Sequence, residues 1–147
     1  DTARYYESVE LLREYFDDPA VTTDLITGFP KETEEEFGET LAFIEKCGFA
    51  AMHIFPYSIR PGTKAAEMEQ VPEEVQKNRF ARMLELQNGV SMEKNQPLVG
   101  KTLRVLCDGV SKSNADLWTG RTAGNKSVFF PGSPDTTPVG QFIPVRI

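Results

Sequence analysis

Cysteine and histidine are scarce in this 147-residue sequence, which has two cysteines, Cys47 and Cys107, and one histidine, His53. Two cysteines cannot form a four-cysteine zinc site, and they cannot hold an iron–sulfur cluster by themselves. Both are interpreted as free thiols that pack in a core, as is usual in a reducing cytoplasm. His53 lies in an apolar segment and is interpreted as a packed side chain rather than a ligand or a base. No Ser-His-Asp, Cys-His or P-loop arrangement is present.

Long apolar runs are missing as well. No segment approaches the roughly 18 residues of a membrane span, and the chain does not open with the basic and apolar regions of a signal peptide. We therefore expect a cytoplasmic protein that has no membrane partner. The chain is too short for a complete (β/α) barrel of about 250 residues, but 39% hydrophobic residues are enough for a folded core.

The charge of the chain is negative overall but unevenly distributed. A net charge of −6 argues at first against nucleic acid as a partner. Residues 1–97 contain 10 Lys/Arg and 19 Asp/Glu, whereas residues 98–147 contain 6 Lys/Arg and 3 Asp/Glu. The chain is thus an acidic part joined to a mildly basic part, and the basic part remains a candidate for RNA binding.

Residues 1–94 have the pattern helix, strand, helix, strand, helix. The first predicted helix covers residues 3–16, with Tyr6, Val9, Leu12 and Phe16 on its core face. Strands are predicted over residues 20–26 and 50–57, and a long helix over residues 72–90. A capping box of Thr33 and Glu36 predicts that the middle helix begins near Glu34 and ends before Gly48. Two strands cannot form a self-contained parallel sheet, so this segment is interpreted as the C-terminal part of a larger α/β domain.

Residues 95–147 lack the helical pattern of the first part and consist of short segments with strand character. Four short runs with strand character, TLRVLCD, DLWTGRTA, KSVFF and QFIPVRI, are separated by turn-forming residues. This spacing predicts a small antiparallel β-barrel. The fold class is therefore α/β followed by all-β, with the boundary near residue 94.

Two loops follow the predicted strands, on the side where parallel α/β folds bind ligands. The first, GFPKET, leads into a helix N-terminus that favours anionic groups, and its Glu32 could accept hydrogen bonds. The second, FPYSIRPGT, contains Arg60, which could hold a carboxylate or phosphate. Each loop can also be explained without a ligand, as a turn with a helix cap and as a surface arginine on a Pro-Gly turn. Asp24, in the first strand, either faces the ligand or caps a neighbouring loop.

Basic and aromatic residues are interspersed in the β part of the chain. Such a mixture suits RNA, through phosphate contacts and base stacking, unless the aromatic residues lie in the core. The candidate RNA-binding residues are Lys101, Arg104, Lys112, Trp118, Arg121 and Lys126.

The motifs together resemble a known family. TTDLITGFPKETEEEF, HIFPYSIRPGTKAAEM and QVPEEV, in this order, are similar to segments of the radical-SAM methylthiotransferases, which modify tRNA or, in one branch, a ribosomal protein. LVGKTLRVLCDGV, TGRTAGNKSVFF and VGQFIPVRI resemble their C-terminal TRAM domain. The HIFPYS form most resembles the branch that acts on threonylcarbamoyladenosine at position 37 of tRNA.

The resemblance implies a function for each part of the chain. In the family, two [4Fe–4S] clusters and S-adenosylmethionine generate a radical that allows a methylthio group to be added to an adenine carbon, and the TRAM domain binds the tRNA anticodon stem-loop. The residues that correspond to family segments near S-adenosylmethionine or the active site are Gly28, Phe29, Pro30, Glu32, Ser58 and Arg60. Lys31 departs from the family pattern, which usually has glycine at this place.

The Cys-x3-Cys-x2-Cys motif of the family is absent from the sequence. We therefore expect the chain to be a fragment that binds neither cluster nor cofactor and is inactive alone, with the missing N-terminal part on a longer parent. The truncated barrel edge is expected to favour dimerisation. The alternatives are a stand-alone RNA-binding module, the ribosomal-protein branch, or another radical-SAM enzyme related to those of porphyrin synthesis.

Overall fold

The computed structural model describes residues 1–133, 137 and 139–147. The chain forms two compact units, Asp1–Lys94 and Asn95–Ile147. Across the described residues, no helix combines the length and the apolar character that are needed to cross a membrane.

The first unit contains a parallel pair of strands and three helices. In chain order these are α1 (Thr2–Tyr15), β1 (Thr22–Thr27), α2 (Glu34–Cys47), β2 (Ala51–Pro56), a short 3-10 turn (Lys64–Glu67) and α3 (Glu73–Asn95). β1 and β2 are directly paired, with Asp24 opposite His53. The helix–strand order predicted from the sequence is confirmed, whereas a barrel that encloses these elements is not shown.

Local sequence signals define the ends of α2 and α3. Thr33 and Glu36 form the predicted capping box, in which each side chain accepts a hydrogen bond from the other residue's backbone N–H. Gly48 ends α2 in the left-handed conformation. The predicted end of α3 at residue 90 is wrong, because the helix continues to Asn95. The next residue, Gln96, precedes Pro97, and a residue before proline disfavours the α-helical conformation.

One face of the β1–β2 pair is covered by helices. Leu25, Met52 and Ile54 pack against a buried cluster, whose members are Phe37, Ile44, Cys47, Phe49 and Met83. Burial raises the pKa of the Cys47 thiol, which makes it a poor source of thiolate. Of the predicted core face of α1, only Val9 is buried, and Leu12 and Phe16 are exposed.

The other face of the β1–β2 pair is exposed. Because side chains alternate along a strand, Asp24 and Ile26 of β1 share this face with His53 and Phe55 of β2. The interpretation of His53 as a packed side chain is therefore wrong. Its neighbours Met52 and Ile54 occupy the covered face instead.

The second unit is a four-stranded antiparallel sheet. Its strands are β3 (Thr102–Val110), β4 (Trp118–Thr122), β5 (Ser127–Phe130) and β6 (Phe142–Arg146), in the spatial order β5-β4-β3-β6. Its core consists of Val105, Cys107, Trp118, Phe130 and Val145. The predicted antiparallel β unit is confirmed, and its closure into a barrel stays a prediction.

Candidate cofactor cavity and RNA-binding face

A cavity of about 520 Å³ lies where β1 and β2 end. The loops after both strands contribute to it, so residues that are distant in sequence meet at this edge. Its lining residues are Ile26, Phe29, Phe55, Pro56, Tyr57, Ser58, Arg60, Thr63 and Ala65. The structure thus brings together Phe29, Ser58 and Arg60, three of the six residues that were predicted from the sequence to lie near a cofactor.

The cavity combines apolar surface with a few polar groups. Ile26, Phe29 and Phe55 are about half exposed, and the Phe29 ring meets the edge of the Tyr57 ring at a centroid distance of 5.3 Å. Arg60 is the one charged residue among those that line the cavity. The Tyr57 hydroxyl is buried and has no hydrogen-bond partner among the described residues. Apolar rings, a guanidinium and an unpaired hydroxyl fit a ligand that has both a heteroaromatic and a carboxylate group.

The other three predicted cofactor residues shape the loop rather than line the cavity. Gly28 and Pro30 are buried. The Glu32 carboxylate accepts hydrogen bonds from the Gly28 backbone N–H at 2.9 Å and from Arg79 Nη1 at 2.8 Å. One carboxylate oxygen, Oε2, is therefore engaged inside the protein, and a direct role of Glu32 towards a ligand stays a prediction.

Two residues of α3, Arg79 and Gln76, contact the GFPKET loop, and neither contact was predicted from the sequence. Arg79 bonds to Glu32, and Gln76 bonds to the Gly28 carbonyl. Arg79 is only 3% exposed. Its position among apolar residues at helical spacing was the available signal, because a buried arginine requires a partner.

Lys31 has a positive φ of 67°, the left-handed region that a side chain disfavours. Replacing it with glycine removes the contact between Cβ and the backbone. We expect Lys31→Gly to raise the free energy of unfolding of the first unit by about 1 kcal/mol, measured by urea denaturation followed by circular dichroism. Lys31→Ala is the matched control, because it removes the same charge and keeps the Cβ. Equal stabilities of the two variants would contradict the explanation.

Metal-ligating side chains do not converge within the described part of the chain. No group of three or more His, Cys, Asp or Glu residues there could hold a metal ion. Cys47 and Cys107 are both buried, in the cores of different units. These residues do not fit an iron–sulfur cluster.

The outer face of the second unit's sheet is basic and aromatic. Strand alternation and register place Arg104, Arg121 and Arg146 on this face together with Phe129 and Phe142. Both phenylalanines are more than half exposed, at 55% and 51%. The Arg104 guanidinium lies 4.3 Å from the centre of the Phe142 ring, a cation–π contact.

The predicted RNA-binding residues have different environments. Lys101, Arg104, Lys112 and Arg121 are exposed, and Lys126 is half-buried. Trp118 is 6% exposed and packs with Phe130 in the core, so its assignment as an RNA contact is corrected: no ring face is open to a base. Neither Phe129 nor Phe142 was among the RNA-binding residues predicted from the sequence, which left open which aromatic residues lie in the core. The period of two along β5, with Phe130 inside and Phe129 outside, was the available signal for Phe129.

Comparisons with known proteins agree with this division. The model of the TRAM domain matches residues 96–147, which is nearly the whole second unit. A protein of Acetivibrio thermocellus named tRNA-2-methylthio-N(6)-dimethylallyladenosine synthase is 50% identical over 144 residues, covering 97% of this chain and 30% of the relative. Proteins of the same name from Desulforamulus reducens and Symbiobacterium thermophilum are 44% identical and cover 97% and 98% of the chain.

The chain belongs to the methylthiotransferase family. The family predicted from the sequence is therefore confirmed, and the branch is not. The chain spans about 30% of the length of these relatives. Residues 96–147 of this chain match the TRAM domain.

Proposed function

We propose that this chain is the C-terminal part of a radical-SAM tRNA methylthiotransferase, and that it does two things. The first unit, as the end of the radical-SAM barrel, supplies part of the S-adenosylmethionine site. The second unit binds tRNA at the anticodon stem-loop. The observation that carries the tRNA role is the exposed face of three arginines and two phenylalanines in a unit that matches the TRAM domain.

The cavity at the ends of β1 and β2 fits S-adenosylmethionine in its donor set. Ile26, Phe29 and Phe55 offer apolar contacts to an adenine ring, and the Arg60 guanidinium offers a partner for the methionine carboxylate. Ser58 and the unpaired Tyr57 hydroxyl add hydrogen-bonding groups. When bound in the complete enzyme, S-adenosylmethionine supplies the radical chemistry. This chain's residues hold and orient it, and the [4Fe–4S] clusters belong to the missing N-terminal part.

The proposed substrate is an N6-modified adenosine at position 37 of tRNA, to which a methylthio group is added at C2. The relatives from Acetivibrio, Desulforamulus and Symbiobacterium are all named for the dimethylallyl nucleoside. Dimethylallyladenosine is therefore the substrate we favour, and the threonylcarbamoyladenosine suggested by the HIFPYS segment becomes the second candidate. A tRNA substrate also supports the proposed cytoplasmic location.

A stand-alone RNA-binding module explains less of the chain. It accounts for the second unit but assigns no purpose to the cavity that Phe29, Ser58 and Arg60 line in the first unit. The relatives match both units, over 97% of the chain. Dimerisation through the barrel edge, and the inactivity of the chain when it is separated from the N-terminal part, stay predictions.

Deleting the gene that encodes this chain should abolish one methylthio nucleoside in cellular tRNA, as measured by mass spectrometry of digested tRNA. We expect complete loss of the methylthio derivative and accumulation of its unmodified precursor, because no methylthio group is then added. Accumulation of dimethylallyladenosine supports the favoured substrate, and accumulation of threonylcarbamoyladenosine supports the second candidate. An unchanged set of tRNA methylthio nucleosides would contradict the proposed function.

A further inference from the structure

Helix α3 holds the GFPKET loop at both ends. At the first end, the Gln76 amide donates a hydrogen bond to the Gly28 carbonyl at 3.3 Å. At the other end, Arg79 Nη1 donates to the Glu32 carbonyl at 3.0 Å and to its carboxylate at 2.8 Å. Since Gln76 and Arg79 lie one turn apart on the helix, α3 presents both groups to the loop together.

We propose that Arg79 and Gln76 are positioning residues that fix the GFPKET loop, and through it the Phe29 side of the S-adenosylmethionine cavity. This inference rests on the proposed function for the identity of the ligand. The hydrogen bonds from Arg79 and Gln76 to the loop form a clamp, and this clamp requires no ligand. Neither residue lines the cavity, so both act through the loop.

The contacts within the loop explain how the clamp reaches Phe29. Glu32 Oε2 accepts from both the Gly28 N–H and Arg79, so one carboxylate oxygen joins the start of the loop to the helix. Phe29 directly follows Gly28 and lies between Gly28 and Glu32, the two residues that this hydrogen bond joins. Loss of the arginine leaves a carboxylate that is only 15% exposed without its cation. We expect the carboxylate to turn towards water, which would release the Gly28 N–H and let Phe29 move.

Close packing at Gly28 supports the same role for Gln76. Gly28 has a positive φ of 69°, and a Cβ built there would lie 2.6 Å from Gln76 Cγ. The backbone of the loop thus rests directly on the helix side chain, and only glycine allows this approach. A side chain that packs this closely restricts the loop in addition to its hydrogen bond.

Arg82 provides a matched control on the same helix. It bonds to Glu34, a residue of α2 with a side chain that is 61% exposed, and this hydrogen bond lowers the pKa of Glu34 below its ordinary value. Like Arg79, Arg82 lies over the Phe37 ring. Arg79 also contacts Glu34, through Nε at 3.4 Å, but the Arg82 guanidinium bonds to Glu34 rather than to residues 28–32. Arg82 therefore shares the charge and the Glu34 contact of Arg79 but not the clamp, and its side chain is 40% exposed, against 4% for Arg79.

The first experiment measures amide hydrogen exchange by NMR in this chain. Arg79→Lys keeps the charge, but its ammonium lies one bond short of the Nη1 position that donates to both Glu32 oxygens. We expect exchange at the Gly28 amide to accelerate at least tenfold in Arg79→Lys, and less than twofold in Arg82→Lys. The amide of Ile44, a buried residue in the last turn of α2, should be unchanged in both variants. Equal exchange at Gly28 in the two variants would overturn the clamp.

The second experiment measures the Kd for S-adenosylmethionine in the longer protein that contains this chain with its clusters in place. We expect Arg79→Lys and Gln76→Ala each to weaken binding at least fivefold, and Arg82→Lys to leave it unchanged. Gln76→Ala keeps every charge, so the test stands even where the arginine variant fails to fold. If the unaltered protein does not bind S-adenosylmethionine, the proposed function fails. If it binds and the variants bind equally well, the positioning role fails.

Discussion

A triple variant in which Arg104, Arg121 and Arg146 are each changed to glutamine should bind tRNA roughly 100-fold more weakly at 0.1 M salt. The three guanidinium groups share one exposed sheet face, so an RNA strand that lies across it meets all of them. Each phosphate contact that is lost should reduce the slope of log K against log salt by about 1, hence by about 3 for the triple variant. Fluorescence anisotropy with labelled tRNA over a salt series gives both quantities.

A variant of the first unit controls for the change in net charge. Arg4, Lys64 and Lys77 are exposed and lie in the acidic part of the chain. Their replacement with glutamine makes the net charge more negative by the same amount, but it should change tRNA affinity less than threefold. Equal losses in the two triple variants would mean that affinity follows net charge alone, and would contradict the assignment of this face.

The uneven charge of the sequence indicated which part to test, but it did not identify the face. The six cations of residues 98–147 look scattered in the sequence. Register pairs Arg121 with Leu106, and Arg104 with Pro144, which puts both arginines on one side of the sheet, whereas a slip of one residue would separate them. A bulge between Cys107 and Gly109 shifts the register along β3. The pairs that place Arg104 and Arg121 precede this bulge, so it does not decide their face. The sequence lacked a signal for which residues of β3, β4 and β6 are paired, and the face depends on that register.

Elements that depend on neighbouring residues were the easiest to predict. The capping box of α2 involves residues only three positions apart, and it was found where the sequence placed it. The Arg79–Glu32 contact joins residues 47 positions apart. Nothing local distinguishes Glu32 as a partner of a buried arginine from Glu32 as an acceptor for a ligand. The distinction depends on tertiary packing of α3 against the loop.

The uncovered face of β1–β2 illustrates a similar limit. His53 and its neighbours have the composition of an apolar strand, which predicts burial on both faces. Helices cover only one face among the described residues of the first unit, and the other presents His53, Ile26 and Phe55. The apolar character is consistent with a larger barrel in which this face lies inside, which is part of the proposed function.

The aromatic residues of the second unit should separate into two classes when they are replaced. Phe129→Ala removes an exposed ring, so the free energy of unfolding should change by no more than about 0.5 kcal/mol. The affinity for tRNA should fall roughly 5- to 100-fold if a base stacks on this ring. Urea denaturation followed by Trp118 fluorescence, together with the anisotropy assay, measures both effects in the same variant. A loss of stability equal to the loss of affinity would contradict the stacking role.

Trp118→Ala should have the opposite effect. Trp118 fills the core beside Phe130, and a Cβ built at Gly132 would lie only 2.7 Å from its ring, so the indole is tightly enclosed. Its truncation should lower the free energy of unfolding by about 3–5 kcal/mol, which is a large part of the stability of a small unit. Circular dichroism is the suitable measurement, because Trp118 is the only tryptophan. Trp118→Phe should recover most of the stability and all of the tRNA affinity. If the Trp118→Ala variant remained folded but no longer bound tRNA, the result would support Trp118 as an RNA contact, as the sequence alone suggested.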